Sequence, residues 1–212
     1  MSDKTNVLLI GDDTDAPWHP LEPARQELEA ILSGEFQLTS TEDYNCFAEL
    51  DQSQFPLCIS YTDCWNRDLT MEQSAGLLRF VAGGGRLLVI HNGISLQRSY
   101  ELLQMIGAKF IGHPPYQALK YYRTAENHPL LEGVENFNMD EEPYLFDFDP
   151  FTPKTVFLEF EFAGNRYPAA WEQAYCLGKV IYLQPGHHAP SFKSEAYRRL
   201  VLNSACWLSG RS

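Results

Sequence analysis

Three short apolar runs constrain what this chain can fold into. Val7-Leu8-Leu9-Ile10, Leu57-Cys58-Ile59-Ser60-Tyr61 and Arg86-Leu87-Leu88-Val89-Ile90 are rich in aliphatic residues and do not alternate with polar ones. A strand with one wet face alternates, whereas a continuous run suits a strand covered on both faces, as in parallel sheets. Helical patterns lie between the runs. Leu21, Ala24, Leu28, Ile31 and Leu32 share one helical face, with prolines at 20 and 23 near its start and Gly34 beyond its end. A second helix opens at Thr70, where Gln73 completes a capping box, with Met71, Leu78 and Val81 as its inner stripe and Gly83-Gly84-Gly85 as its stop. Strand, helix, strand, helix, strand predicts right-handed βαβ units and a doubly wound, mainly parallel α/β sheet flanked by helices.

A further helix is expected over Tyr100 to Ile106. Beyond it the chain changes character. Leu119 to Arg123 and Thr155 to Phe160 are aromatic and β-branched with no long helical pattern between them, so they suit antiparallel or edge strands in a mixed β extension. Lys179 to Leu183 returns to the buried type. Ser194 to Leu208, with Tyr197, Val201, Ala205 and Leu208 on one face and Gly210 behind, reads as a closing helix. No repeat or linker divides the 212 residues, so one domain over 1–212 is expected.

Charge narrows the partners. Sixteen basic against 28 acidic residues leave a net charge of −12, a field that repels phosphate backbones and anionic bilayers, so neither nucleic acid nor membrane is an expected partner. No apolar run approaches the roughly 20 residues of a spanning helix, and the opening MSDKTNVLLIGDD has neither a basic lead nor a cleavage signal. Cys46, Cys58, Cys64, Cys176 and Cys206 are odd in number and show no metal-finger spacing, which points to reduced thiols and a cytoplasmic location. With 13% aromatic residues, some exposed, a homo-oligomer is a further expectation.

The histidines carry the functional signal. His19, His91 and His187 each follow a predicted strand, and the carboxyl edge of a parallel sheet is where ligands bind. His19, His113 and His128 each precede a proline, which disfavours helical backbone and places those rings on loops or turns. A single such ring is most simply a surface or hydrogen-bonded residue; four on one edge would make a site. Among the acids Asp140-Glu141-Glu142-Pro143-Tyr144, most would be solvated, and Glu142 is singled out because Pro143 fixes the turn that aims it and Tyr144 adds a donor. A carboxylate beside histidines can act as general base, orient an imidazole or help hold a cation.

Other chemistries are refused. The glycine triplet precedes a strand and there is no P-loop, so nucleotide fingerprints are absent. Asp12-Asp13-Thr14-Asp15 follows a strand as an aspartyl nucleophile would, but Pro17 and the surrounding acids argue against phosphotransfer. Asp147-Phe148-Asp149-Pro150 lacks the glycine of a calcium loop, and no G-x-S-x-G elbow is present. The turn after Ile90 reads His91-Asn92-Gly93 and offers no thiol; Cys64, in Thr62-Asp63-Cys64-Trp65, is the one cysteine near that edge and reads more simply as loop packing.

Taken in order, Trp18-His19-Pro20, Val89-Ile90-His91-Asn92-Gly93, Gly112-His113-Pro114, His128 to Gly133, Glu141 to Tyr144 and Gly178 to His187 resemble the ThuA-like family, named for trehalose utilisation. That family's fold is similar to the flavodoxin-like class I glutamine amidotransferase domain. The resemblance covers nearly the whole chain and implies carbohydrate catabolism. It does not extend to the amidotransferase cysteine, so glutamine hydrolysis is not expected. The family's acidic motif reads D-E-x-Y, and Asp140 to Tyr144 offers two alignments for it.

Two classes of function follow. In the first the protein is an acid/base enzyme on a sugar-like small molecule. His113, Glu142 and His187 are then catalytic, Trp18, His19, Asp63, Trp65, His91, Asn92, Tyr116 and Tyr144 form the binding site, and a divalent metal with no assigned ligands assists. In the second the same scaffold is a ligand-binding or interaction module without chemistry.

Overall fold

The computed structural model describes residues 4–124 and 128–211. Its elements in chain order are β1 (Thr5–Gly11), α1 (Leu21–Leu32), β2 (Phe36–Thr41), β3 (Leu57–Tyr61), α2 (Met71–Ala82), β4 (Arg86–Ile90), α3 (Tyr100–Ile106) and β5 (Ala108–Gly112). They continue with β6 (Gln117–Arg123), β7 (Phe137–Glu141), β8 (Leu145–Phe148), β9 (Thr155–Phe162), β10 (Asn165–Tyr175), β11 (Gly178–Leu183) and α4 (Glu195–Leu208). Nine strands form one sheet in the order β2-β1-β3-β4-β11-β10-β9-β6-β7, and β5 pairs with β8 in a small second sheet.

The continuous apolar runs have a direct explanation. Along β1, Val7 and Leu9 enter one core while Leu8 and Ile10 enter the other; in β4, Leu88 and Ile90 face the first core, Leu87 and Val89 the second. Side chains alternate between faces, and since helices cover both, every position is apolar. The first core is closed by α1 and α4, the second by α2 and α3. Strands β2, β1, β3, β4 and β11 run parallel. The aromatic segments add the antiparallel wing β10, β9, β6 and β7, the mixed extension expected of them.

The structure corrects two sequence readings. The strand after α1 is β2, not the run at 57–61; Phe36-Gln37-Leu38-Thr39-Ser40-Thr41 is an edge strand with one covered face, so it carries no apolar run to read. Within α2 the inward stripe is Gln73, Leu77, Phe80 and Val81, while Met71 is 85% exposed and Leu78 is only partly buried. The capping box at Thr70 and Gln73 forms in both directions.

Because α1 crosses from β1 to β2 on one face and α2 from β3 to β4 on the other, the sheet order reverses between β1 and β3. Loops on the carboxyl side of such a reversal diverge and leave a crevice. His19 follows β1, Asp63 follows β3, His91 follows β4 and His187 follows β11, so all four lie at that end of the sheet. No helix among the described residues is long and apolar enough to cross a membrane.

Candidate active site

The tightest backbone at this edge is the step out of β4. His91 has φ 44°, a left-handed conformation rare for a residue with a side chain, and a 3₁₀ helix over His91–Arg98 follows at once. Three features impose the bend. A Cβ on Gly93 would stand 2.5 Å from the Ser60 carbonyl oxygen, so only glycine passes there. The Asn92 amide donates to the carbonyls of Tyr61 and Thr62 at 3.1 and 2.9 Å. His91 Nδ1 lies 2.6 Å from the Gln184 carbonyl oxygen, to which it donates. A strand-bend-helix of this kind lifts a side chain above the sheet, and here that side chain is an imidazole.

Three imidazoles meet at this point. The ring centres of His19, His91 and His187 are 5.0 to 5.4 Å apart. Glu142 completes the group, with Oε2 3.2 Å from His187 Nδ1 and 3.6 Å from His91 Nε2, and Oε1 3.5 Å from His113 Nδ1. One ligand-capable atom from each of His19, His91, Glu142 and His187 lies within 4.8 Å of the others. His91 Nε2 and His187 Nδ1 are both buried and find no hydrogen-bond partner of good geometry. Both instead face the Glu142 carboxylate at ion-pair distance, an arrangement that fits a bound cation.

The electrostatics agree. Burial pushes His91 down to about 3, helped by the charges of His19 and His187, so its ring stays neutral and its Nε2 lone pair free. Half-burial pushes the Glu142 carboxyl up, but the close contact and charge of the histidines, His187 foremost, outweigh it and leave it well below the usual carboxylate range. Burial pulls His187 down, yet its contact with Glu142 wins and its net shift is upward. His19 Nδ1 is 3.0 Å from Asp63 Oδ2, with both side chains buried, so the proton sits on Nδ1 and Nε2 turns toward the cluster. Imidazoles oriented by a carboxylate at His19 and by a carbonyl at His91, a third at His187 and one Glu142 oxygen form a donor set suited to zinc or a similar divalent ion.

Above the cluster opens a cavity of about 460 Å³ lined by Trp18, His19, Trp65, Phe110, His113, Glu142, Tyr144 and His187. Tyr144 lies over His91 with ring centres 4.0 Å apart, and Phe110 joins Tyr144 to Trp65 at 4.4 and 5.2 Å. His113 is 39% exposed at the mouth; its Nδ1 is 3.0 Å from the Pro114 carbonyl oxygen. The lining contains no lysine or arginine.

Of the residues singled out from sequence, Trp18, His19, Trp65, His113, Glu142, Tyr144 and His187 line this cavity, while His91 is fully buried against Tyr144 and outside the lining. Asp63 stands behind His19. Asn92 is fully buried, and its amide braces β3 rather than facing the cavity. Tyr116 packs on His187 and His188 at 5.8 and 5.2 Å, outside the lining. His128 is elsewhere, stacked on Phe157 and paired with Glu172 at 3.3 Å. Cys64 is buried, its thiol pushed up to about 11 by burial. Asp12 is buried, and its carboxylate accepts from the backbone of Thr14 and Asp15, folding its own loop.

Sequence reading missed Phe110, Glu141 and Gln184. Glu141 and Gln184 are both fully buried. The signal for Glu141 was its register: Phe137, Met139 and Glu141 alternate along β7 toward one face. Of the two adjacent acids, Glu141 lies inside the fold and Glu142 faces the cavity.

No curated protein matches the chain. Solved structures do. A ThuA-like protein from Parabacteroides merdae superposes with a TM-score of 0.80 at 15% identity, covering 99% of this chain and 91% of its own. One from Bacteroides uniformis gives 0.81 at 16%, covering 98% and 93%. The β-galactosidase of Rahnella sp. R3 gives 0.71 at 13%, covering 99% of this chain but 32% of its own. At these identities the likeness is one of fold. The chain matches the ThuA family, described as trehalose utilisation, over residues 6–208, and on that extent it belongs to the ThuA family.

Proposed function

We propose that the protein is an enzyme of carbohydrate utilisation that performs acid/base chemistry on a sugar or similar polyhydroxy molecule, with a divalent cation held by His19, His91, His187 and Glu142. The observation that carries this reading is the convergence of those four side chains, with one ligand-capable atom from each within 4.8 Å of the others. The bound cation would supply Lewis acidity toward a substrate oxygen. His91 stays neutral for this role because burial forbids its charged form. Asp63 and the Gln184 carbonyl fix the tautomers of His19 and His91. His113 lies outside the ligand set, and Pro114 and Glu142 flank its Nδ1, which leaves Nε2 to take or give a proton at the mouth. Trp18 and Trp65 offer flat apolar faces for a pyranose ring and exclude water from the bound substrate.

The second reading, a binding module without chemistry, draws on one observation: the same fold recurs as about a third of a β-galactosidase chain. Metal analysis of the purified protein, with binding and turnover measured on a panel of neutral mono- and disaccharides, separates the two. The enzyme reading expects a stoichiometric divalent ion, a sugar that is converted, and loss of conversion but not of the ion in His113→Ala. Sugar binding with neither ion nor product would leave the module.

A further inference from the structure

Two buried side chains outside the ligand set link the loops that carry His187, His91 and Glu142. Glu141 ends β7, and its carboxylate faces inward. Its Oε2 accepts from the backbone N–H of Gly186 at 2.8 Å and of His187 at 3.3 Å, while its Oε1 accepts from the N–H of Glu142 at 2.9 Å. One carboxylate therefore holds the backbone of the Glu142 turn and of the His187 loop together. Gln184 makes the reciprocal link from the end of β11. Its Nε2 donates to the Glu142 carbonyl, its Oε1 accepts from Tyr121 O–H at 3.0 Å, and its own backbone oxygen accepts from His91 Nδ1 at 2.6 Å.

These bonds join segments remote in sequence. The antiparallel wing delivers Glu142, whereas the parallel half delivers His91 and His187, and the sheet alone fixes neither loop against the other. Buried charge and amide groups in a core are tolerated only when every bond is made. A carboxylate in a fully buried position with three backbone donors is an expensive way to close a loop unless the geometry it sets matters. We infer that Glu141 and Gln184 are positioning residues that hold Glu142, His187 and His91 in ligating arrangement. Neither lines the cavity, so they act through the side chains they orient. This inference rests on the cation reading above.

The test uses Glu141→Gln, which keeps the shape but sets an amide donor against backbone N–H groups, and Gln184→Met, which removes the donor to Glu142. Zinc affinity is measured by competition with a chromophoric chelator, the visible spectrum is recorded with cobalt, and the melting temperature and crystal structure are obtained for each metal-free protein. The expected result is zinc affinity reduced tenfold to a hundredfold, the range found when partners of metal ligands are removed, with an altered cobalt spectrum. The metal-free crystals should show the Glu142 to His187 contact opened from its 3.2 Å. If Glu141→Gln does not fold, Gln184→Met decides. Wild-type affinity and cobalt spectrum in the variants, with the contact kept, would overturn the inference. Should the wild-type protein take up neither zinc nor cobalt, the cation reading fails instead, and the metal-free crystals alone decide whether the two residues set the Glu142 to His187 geometry.

Discussion

At the scale of single residues, the protein uses burial to set chemical character. His91 is held neutral, while Cys58 and Cys64 have their thiols raised by burial and withdrawn from solvent. Alkylation of the native protein should therefore modify Cys176, which is exposed, and spare Cys58 and Cys64, as mass spectrometry of the digested product will show. Cys64→Ala should likewise leave turnover unchanged, since that thiol packs in the second core. Asp63 has the opposite standing. Asp63→Asn keeps an acceptor for His19 but loses the anionic partner that orients its ring, and zinc binding should weaken by roughly tenfold or more. A chelator titration in which Asp63→Asn matched wild type would remove Asp63 from the site. Legibility at this scale was uneven. The histidines could be read because a ring placed after a strand has one end of the sheet to go to. Glu141 and Gln184 could not, because their value lies in backbone bonds to residues distant in the chain.

At the scale of elements, local rules and close approaches govern. The reciprocal bonds between Thr70 and Gln73 anchor the start of α2, and Thr70→Ala should cost about 1 kcal/mol in a denaturant titration. Gly93→Ala should cost more, since the added methyl would meet the Ser60 backbone and not a side chain that can turn aside. Its spectroscopic unfolding midpoint should fall well below that of Thr70→Ala; a smaller loss would mean that the bend after β4 relaxes freely. The central strands β1, β3, β4 and β11 were legible because burial on both faces writes itself into sequence. Two-faced amphipathic elements were less so: β2 hides behind polar residues, and Met71 sits at the first turn of α2, where an apolar side chain can point outward without breaking the helix.

At the scale of the whole molecule, the sheet combines a parallel half that supplies histidines with an antiparallel wing that supplies the carboxylate. A cation that bridges the two halves should stabilise the native state alone. At a free zinc concentration a hundred times its dissociation constant the gain is about 2.7 kcal/mol, which for a chain of this size raises the melting temperature by roughly 5 to 10 °C. Calorimetry with zinc and then with excess chelator checks this; identical transitions would argue that no ion binds the native fold. Class of fold, sheet edge and the histidine set were thus legible from sequence, whereas the junction between the two halves was not, since it depends on how the wing attaches.

The four converging side chains come from loops spread from residue 19 to residue 187. A nascent polypeptide still short of β11, or a product clipped before it, lacks one corner of the centre however well its remaining secondary structure has formed. If the centre takes up the ion proposed for it, uptake would count finished molecules, and titrating zinc into a preparation would report the fraction of chains that have completed assembly, a quantity that circular dichroism would overstate.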